Sequence, residues 1–200
     1  MQPDTFDYVV VGAGAAGCVL ASRLTERADT RVLLLEAGGS DRRSEVRIPA
    51  AFTKLFKTAC DWNYETVPQP ALAGRRLYWP RGRMLGGSTS LNAQMYVPGH
   101  PADYDAWAAA GAKGWSHAEV RPYFRRAESA GTLSIELPRD PNPTTRAFVE
   151  AARACGLPAV TGRNDGGREG VGLTSVTQRR GRRWSAADAY LRPALRRRNL

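Results

Sequence analysis

The stretch DYVVVGAGAAGCVLASRLTE occupies residues 7–26, and RVLLLE follows it over residues 31–36. The short apolar runs Asp7–Val11 and Arg31–Glu36 are typical of buried strands. Between them, Ala15–Glu26 carries its apolar side chains at helical spacing. A strand, a helix and a second strand in this order predict a parallel βαβ unit. The fold class is therefore α/β, of the Rossmann type that binds FAD or NAD(P).

The turn between the first strand and the helix has the pattern GxGxxG over Gly12–Gly17. Gly12 permits a tight turn, Gly14 lets the backbone approach a pyrophosphate, and Gly17 lets helix and strand pack closely. A pyrophosphate there meets the free N–H groups and the positive end of the helix dipole. We therefore expect cofactor contacts from Gly12, Gly14, Ala15, Ala16 and Gly17.

Glu36 ends the second strand, 19 residues beyond Gly17. A carboxylate at this place accepts hydrogen bonds from the adenosine ribose and repels a 2′-phosphate, which disfavours NADP. Glu36 and the adjacent Ala37 therefore join the predicted cofactor site. The motif does not separate FAD from NAD, and a βαβ unit that binds nothing remains an alternative reading of these residues.

A second glycine segment, PRGRMLGGSTSLN, spans residues 80–92 and is followed by Tyr96 and Gly99. Gly86 and Gly87 allow the backbone to approach a flat or phosphorylated ligand closely. Residues 88–90 offer hydroxyl groups, and Asn92 offers an amide. The ordered spacing of these residues is more specific than a lone pair of glycines.

This segment resembles the first signature of the glucose–methanol–choline (GMC) oxidoreductases, and the resemblance extends over almost the whole chain. Its further parts are DWNY at residues 61–64, PQPALAGR at 68–75, GHPADYDAW at 99–107 and GRRWSAADAYLRPAL at 181–195. The last two are similar to the choline dehydrogenase branch of the family. The resemblance favours FAD over NAD, and an NAD-dependent dehydrogenase is disfavoured.

The resemblance also implies which residues face the flavin. It places along the flavin Met84, Asn92, Ala93, Gln94 and Met95, with Gly86, Gly87 and Ser88 close to it. For Met84 and Met95, each taken alone, packing in the core is the competing interpretation. Some relatives attach FAD through a histidine just before the asparagine; Leu91 stands there in this chain, so we expect noncovalent FAD.

By the same resemblance, the activity is oxidation of the CH–OH group of a small-molecule alcohol, with hydride transfer to the flavin and a histidine base. Family members are longer, and their catalytic histidine lies near the C-terminus. We therefore expect residues 1–200 to be an N-terminal FAD-binding domain, incomplete at its C-terminus, without the substrate domain and without a catalytic residue. His100 and His117 are expected at the surface. The alternative is a non-catalytic nucleotide-binding fragment.

Composition excludes several other classes. The formal net charge is +10, and arginine supplies most of the 29 basic residues, but the arginine clusters have little aromatic interleaving, so we expect no nucleic-acid partner. No apolar run approaches the ~20 residues of a membrane helix, and the N-terminus lacks a basic secretory start, which favours the cytoplasm. Cys18, Cys60 and Cys155 are far apart, which argues against a disulfide framework or a zinc site. The oligomeric state and the particular alcohol cannot be read from the sequence.

The rest of the chain alternates between loops and short elements. Residues 38–101 are rich in glycine, proline and aromatic residues, and a loop of this length is usually functional. A capping box at Ser116 and Glu119 begins one helix. Helices are predicted at Ala102–Ala110, Ser116–Ala127, Thr144–Cys155 and Ser185–Arg197, strands at Thr132–Leu137 and Leu173–Gln178, and a glycine-rich loop at Asn164–Gly172. Compared with relatives, the segment near Ser129–Thr132 is shortened.

Overall fold

The computed structural model describes residues 5–128, 132–160 and 169–200. It divides into two compact units, which are described separately below. The first unit comprises Met1–Ala93 and Arg182–Leu200, and the second comprises Gln94–Gly181. Ser129–Gly131, where the shortened segment begins, and much of the predicted glycine-rich loop lie outside the described residues.

The first unit begins with the predicted parallel βαβ arrangement. Its elements are β1 (Tyr8–Val11), α1 (Ala15–Leu24) and β2 (Val32–Leu35). The strands pair in register from Tyr8 opposite Val32 to Val11 opposite Leu35. The Gly12 N–H continues the ladder by donating to the Leu35 carbonyl at 2.7 Å. This confirms the strand–helix–strand prediction, with ends that differ by one or two residues.

The prediction that these strands are buried is wrong for β1. Val9 is 57% exposed and Val11 is 81% exposed. In β2 the prediction holds only for Val32, which is buried, whereas Leu35 is 46% exposed. The sheet has two strands, and within the described residues no third strand is paired to it. Since α1 packs on one face only, side chains on the other face remain open to solvent.

Helix α1 packs through its small residues against the last part of the unit. Cys18 and Ala21 are fully buried, which allows a close approach to the π-helix Ala187–Leu191 and to α6 (Arg192–Ala194). One continuous helix was predicted over Ser185–Arg197. The chain forms a continuous helical run over this stretch from Ala186 to Ala194, in which the π-helical turn Ala187–Leu191 leads directly into α6, so the prediction is confirmed with a shorter C-terminal end.

The loop-rich segment after β2 contains only short elements. These are α2 (Ser44–Arg47), β3 (Tyr64–Glu65) antiparallel to β4 (Tyr78–Trp79), and 3-10 turns at Pro49–Leu55, Pro70–Leu72 and Gly87–Ser90; β6 (Arg182–Arg183) follows much later in the chain. A small hydrophobic cluster holds the segment together. Its buried members are Val46, Leu55, Cys60, Met84 and Leu91, with Phe56 packed against them.

The second unit contains the three helices that the sequence predicts there. They are α3 (Pro101–Ala109), α4 (His117–Glu128) and α5 (Pro143–Ala154). The capping box is confirmed, since the Ser116 N–H and hydroxyl both donate to Glu119 Oε2, at 3.1 and 2.6 Å. In the described ranges, no helix combines the length and apolar character needed to cross a membrane.

The two strands predicted in the second unit are wrong as extended elements. The segment Thr132–Leu137 contributes only Glu136, which forms a single antiparallel bridge with Val176. Val176 also bridges Met95, and a two-residue strand, β5 (Gln178–Arg179), follows. Pairing stops after one bridge because Pro138 follows Leu137, and proline cannot donate to a ladder.

Candidate cofactor-binding site

The three glycines of the first turn serve different structural purposes. Gly12 has φ +93°, a conformation that other residues rarely adopt. A Cβ on Gly17 would overlap the Gly12 carbonyl oxygen, so the crossing of helix and strand requires glycine there. Gly14 has φ −75°, and a Cβ at Gly14 would meet no atom within 4 Å. The absence of a side chain at Gly14 therefore keeps a space open rather than permitting a protein contact.

The N-terminus of α1 faces this space. Gly14 is its N-cap and supplies no side-chain cap, and its first turn carries no acidic residue. The N–H groups of a first helical turn have no partner within the helix, and the helix dipole is positive at this end. Ala15 lines the open space beside them. This end of α1 is therefore suited to an anion such as a phosphate.

Glu36 connects the end of β2 to the glycine turn. Its Oε2 accepts the Ala13 N–H at 2.7 Å, and its Oε1 accepts the Gly38 N–H at 2.8 Å. Each carboxylate oxygen can accept more than one hydrogen bond, so capacity remains for the hydroxyls of a ribose. The half-buried carboxylate thus holds the turn in place and remains at the edge of the open space.

The second glycine segment packs directly against the first. The Gly86 N–H donates to the Ala13 carbonyl at 2.7 Å. Gly87 has φ +52°, and a Cβ there would lie 2.8 Å from the Gly14 Cα. Two backbones can approach this closely only because both residues lack a side chain. The structure therefore brings together two motifs that lie about 70 residues apart in the sequence.

A cavity of about 860 Å³ opens where the two glycine segments meet. This is within the usual range for cofactor and ligand sites, roughly 300–1,000 Å³. Its lining residues are Val11, Gly12, Gly14, Ala15, Leu35, Glu36, Ala37, Trp62, Tyr64, Arg81, Gly82, Gly87 and Ser88. Seven of these come from the predicted cofactor site.

Several predicted site residues do not line this cavity. Met84 is fully buried in the hydrophobic cluster of the first unit, and Gly86 is buried beside Ser90 and Ala187. Asn92 lies at the other end of its segment, where Arg183 contacts it. The remaining ones are Ala16 and Gly17 within α1, the exposed Ala93 beside Asn92, and Gln94 and Met95 in the second unit.

Sequence reasoning did not single out the opposite wall of the cavity. Trp62 and Tyr64 are stacked there, with ring centroids 5.7 Å apart and planes 8° apart. Arg81 lies beside them and supplies a cation. Exposed, stacked aromatic rings next to a cation suit a ligand that has both a flat ring and a phosphate. The only sequence signal for this wall is the DWNY run at residues 61–64, which by itself indicates the family resemblance and not a ligand contact.

Asp61 organises this wall from behind. It is 3% exposed, and its Oδ1 accepts the Asn63 and Arg81 N–H groups while its Oδ2 accepts the Lys57 N–H and the Tyr78 hydroxyl. Burial opposes ionisation of Asp61, but these hydrogen bonds outweigh it and lower the pKa of the carboxyl below its ordinary value. A single buried carboxylate therefore joins both ends of the segment that presents Trp62 and Arg81.

A βαβ unit with an open glycine turn, an acidic strand end and a second glycine segment defines a Rossmann-type cofactor-binding domain. A sequence profile of the GMC oxidoreductases matches residues 6–200. The chain belongs to the GMC oxidoreductase family, as the resemblance in its motifs predicts.

Curated and solved relatives agree with this assignment. The chain is 47% identical to human mitochondrial choline dehydrogenase over 98% of its length and 36% of that protein. It is 44% identical to an oxygen-dependent choline dehydrogenase of Photobacterium profundum over 98% of its length and 37% of that protein. The crystal structure of pyridoxine 4-oxidase from Mesorbium loti superposes with a TM-score of 0.89 at 41% identity, over 98% of this chain and 41% of that one. The chain thus spans about two fifths of the length of these relatives.

Proposed function

We propose that this chain binds FAD noncovalently in the cavity between the two glycine segments, as the N-terminal FAD-binding domain of an enzyme that oxidises the CH–OH group of a small-molecule alcohol. The observation that supports this most is the open face of Gly14. In a region where Gly17 and Gly87 are packed to the limit, the Cβ position of Gly14 meets no protein atom within 4 Å. A cradle of this kind fits a pyrophosphate.

The proposed cofactor site has three parts. Gly12, Gly14, Ala15 and Ala16 hold the pyrophosphate at the start of α1. Glu36 accepts the ribose hydroxyls, with Ala37 beside it. The second glycine segment, with Gly86, Gly87, Ser88, Asn92 and Ala93, supports the flavin. When bound, FAD supplies the hydride acceptor; these residues bind and orient it.

Leu91 supports the noncovalent part of the proposal. It stands where some relatives carry the histidine that attaches the flavin. Its side chain is 2% exposed and packs in the hydrophobic cluster with Val46 and Leu55. A buried aliphatic side chain offers no nucleophile for a bond to FAD.

The catalytic base and the substrate domain are proposed to lie outside residues 1–200. His100 Nδ1 accepts the Ala102 N–H at 3.2 Å and so caps α3, and the His117 N–H donates to Asp105 at the start of α4. Both histidines thus have structural places at helix starts.

Choline and pyridoxine, named in the relatives, are small alcohols, and we propose a substrate of this class. Three free cysteines favour a reducing compartment such as the cytoplasm.

A non-catalytic nucleotide-binding role is the second candidate, and the exposed apolar side chains of β1 favour it for the isolated chain. Val9 and Val11 face solvent, which predicts self-association and weak retention of the cofactor. Both candidates share the FAD site and differ in whether the chain acts within a longer enzyme.

Flavin content and turnover of the purified 200-residue chain test the proposal. We expect flavin absorbance to comigrate with the protein on gel filtration when FAD is supplied, and all flavin to enter the supernatant after acid precipitation. We expect no dye reduction with choline, pyridoxine or aryl alcohols. Absence of FAD binding would refute the proposed function, and flavin that precipitates with the protein would refute noncovalent binding. Dye reduction by this chain would show that the base lies within it.

A further inference from the structure

Arg183 is a buried cation at the end of β6. Only 4% of its surface is exposed to solvent. The guanidinium donates to the Val46 carbonyl from Nε at 2.8 Å and to the Thr89 carbonyl from Nη1 at 3.0 Å. It also donates to Asn92 twice, from Nη1 to Oδ1 at 2.9 Å and from Nη2 to the backbone carbonyl at 2.7 Å. All three nitrogen atoms of the guanidinium are therefore used.

The acceptors around Arg183 are all neutral. Across the described ranges, no carboxylate lies within ion-pair distance of it. Burial lowers the pKa of Arg183 to about 10, which leaves it charged at neutral pH. The Asp188 carboxylate attracts this charge from beyond that distance, and a buried charge without a direct ion pair is costly unless its donors are satisfied in a fixed geometry. The planar fork of an arginine matches acceptors on two separate segments, one at Val46 and the other at Thr89 and Asn92.

These bonds fix the second glycine segment near its end. Thr89 lies in the 3-10 turn that begins at Gly87, and its hydroxyl donates to the Gly86 carbonyl. Asn92 is held through its main chain and its side chain at once. Because Oδ1 faces the guanidinium, the amide nitrogen of Asn92 is turned to the opposite side. Arg183 thereby determines both the backbone path and the amide orientation of this exposed residue.

We propose that Arg183 is a positioning residue for the flavin, which it serves by holding Asn92 and the turn 87–90 in the conformation that receives the ring system. The proposal rests on the proposed function, since it assumes that FAD lies against the second glycine segment. Arg183 does not line the cavity, so in this proposal it acts on the flavin through Asn92 and the turn 87–90. Its effect is therefore on the flavin end of the site rather than on the pyrophosphate end.

Arg183→Lys tests the proposal, because lysine keeps the charge and loses the fork. Because lysine cannot reproduce the four hydrogen bonds of the guanidinium, we expect FAD affinity to fall at least about tenfold. In protein saturated with FAD, we expect a shifted flavin midpoint potential and altered fine structure of the absorbance bands. ADP affinity should change less than about twofold, since the turn at Gly12–Gly17 is intact. Arg182→Lys, an exposed neighbour, is the matched control.

A merely structural arginine would lower the melting temperature and leave the potential and spectrum of the FAD-saturated protein unchanged, and that result would overturn the proposal. Chemical rescue gives a second test: guanidinium added to Arg183→Ala should restore part of the FAD affinity, whereas ammonium should not. If Arg183→Lys does not fold, Asn92→Ala removes only the side-chain link, and an unchanged flavin spectrum there would overturn the proposal as well. Failure of the wild-type chain to bind FAD would instead refute the proposed function.

Discussion

Individual glycines in this site differ in whether their position would tolerate a side chain. The GxGxxG spacing and the acidic residue 19 positions later could be predicted from the sequence, because turn, dipole and ribose chemistry impose that spacing. Asp61 could not be predicted as an organising residue. Its partners lie at Lys57, Asn63, Tyr78 and Arg81, and no regular spacing connects them. Met84 shows the same limit, because its packing depends on side chains more than 20 residues away.

Gly14→Ala and Gly17→Ala should separate a binding glycine from a packing glycine. At Gly14 the added methyl group meets no protein atom, so the free energy of unfolding should change by less than about 0.5 kcal/mol. At Gly17 the methyl group overlaps the Gly12 carbonyl, and we expect a loss of about 3 kcal/mol, the upper end for overpacking. Urea denaturation of the FAD-free protein measures both. Equal losses in the two variants would contradict the geometry of this turn.

Among the elements, the βαβ unit was predictable because hydrophobic period, glycine turn and strand length agree with one another there. The segments Thr132–Leu137 and Leu173–Gln178 have strand-like composition, yet their pairing is limited to isolated bridges and to Gln178, the first residue of β5, since pairing depends on partners that composition does not specify. The helix predicted at Ser185–Arg197 is present from Ala186 to Ala194, but no spacing in the sequence indicated its π-helical turn at Ala187–Leu191. The segment 57–82 has little regular structure beyond the short pair β3–β4, and a buried carboxylate connects its parts.

Asp61→Asn should loosen that segment. Both carboxylate oxygens accept from two donors, so in either orientation the amide NH2 of asparagine would face N–H or O–H groups. We expect a loss of about 3 kcal/mol at pH 7, from unsatisfied buried donors. Glu65→Gln, an exposed carboxylate on the adjoining strand, is the matched control and should be nearly neutral.

The same change should alter the acid dependence of stability. The folded-state pKa of Asp61 is lowered, so its stabilisation is fully present above the unfolded value of about 4 and is lost as the pH falls through the folded value. Wild-type protein should therefore lose stability below about pH 4, and Asp61→Asn should lose less over that range. Thermal unfolding from pH 7 to pH 3 measures this difference. Parallel pH profiles for the two proteins would refute it.

At the scale of the whole molecule, the chain carries the cofactor cradle together with an exposed apolar strand. The residues of the cofactor site stay a prediction, whereas the family could be predicted from motifs spread over nearly the whole chain. The division into two units and the exposure of β1 could not, because an apolar run indicates a tendency to be buried and does not identify what covers it. Asn199 shows how the end of the first unit is attached: its carbonyl accepts the Val32 N–H at 2.9 Å, and its side chain donates to the Thr25, Arg27 and Thr30 carbonyls.

Val9→Thr and Val32→Thr should have opposite effects on the molecule. Val9 is exposed on β1, so a hydroxyl there removes apolar surface and should lower self-association with little change in stability. Val32 is 1% exposed, and the same change there buries a hydroxyl and should cost about 1–3 kcal/mol. Light scattering and urea denaturation measure the two effects. Unchanged light scattering in Val9→Thr would show that β1 is not the surface through which the chain associates.

Equilibrium titration of the FAD-free chain with FAD tests the central claim most directly, with Gly14→Val as the decisive variant. The Cβ of this valine meets no protein atom within 4 Å and its side chain occupies the cradle at the start of α1, so we expect FAD affinity to fall at least about 100-fold while the melting temperature of the FAD-free protein changes little. Gly39→Val is the control, since its Cβ also meets no atom within 4 Å and the residue lies outside the cavity lining. Gly39→Val should bind FAD like the wild type. Wild-type FAD affinity in Gly14→Val would contradict the account.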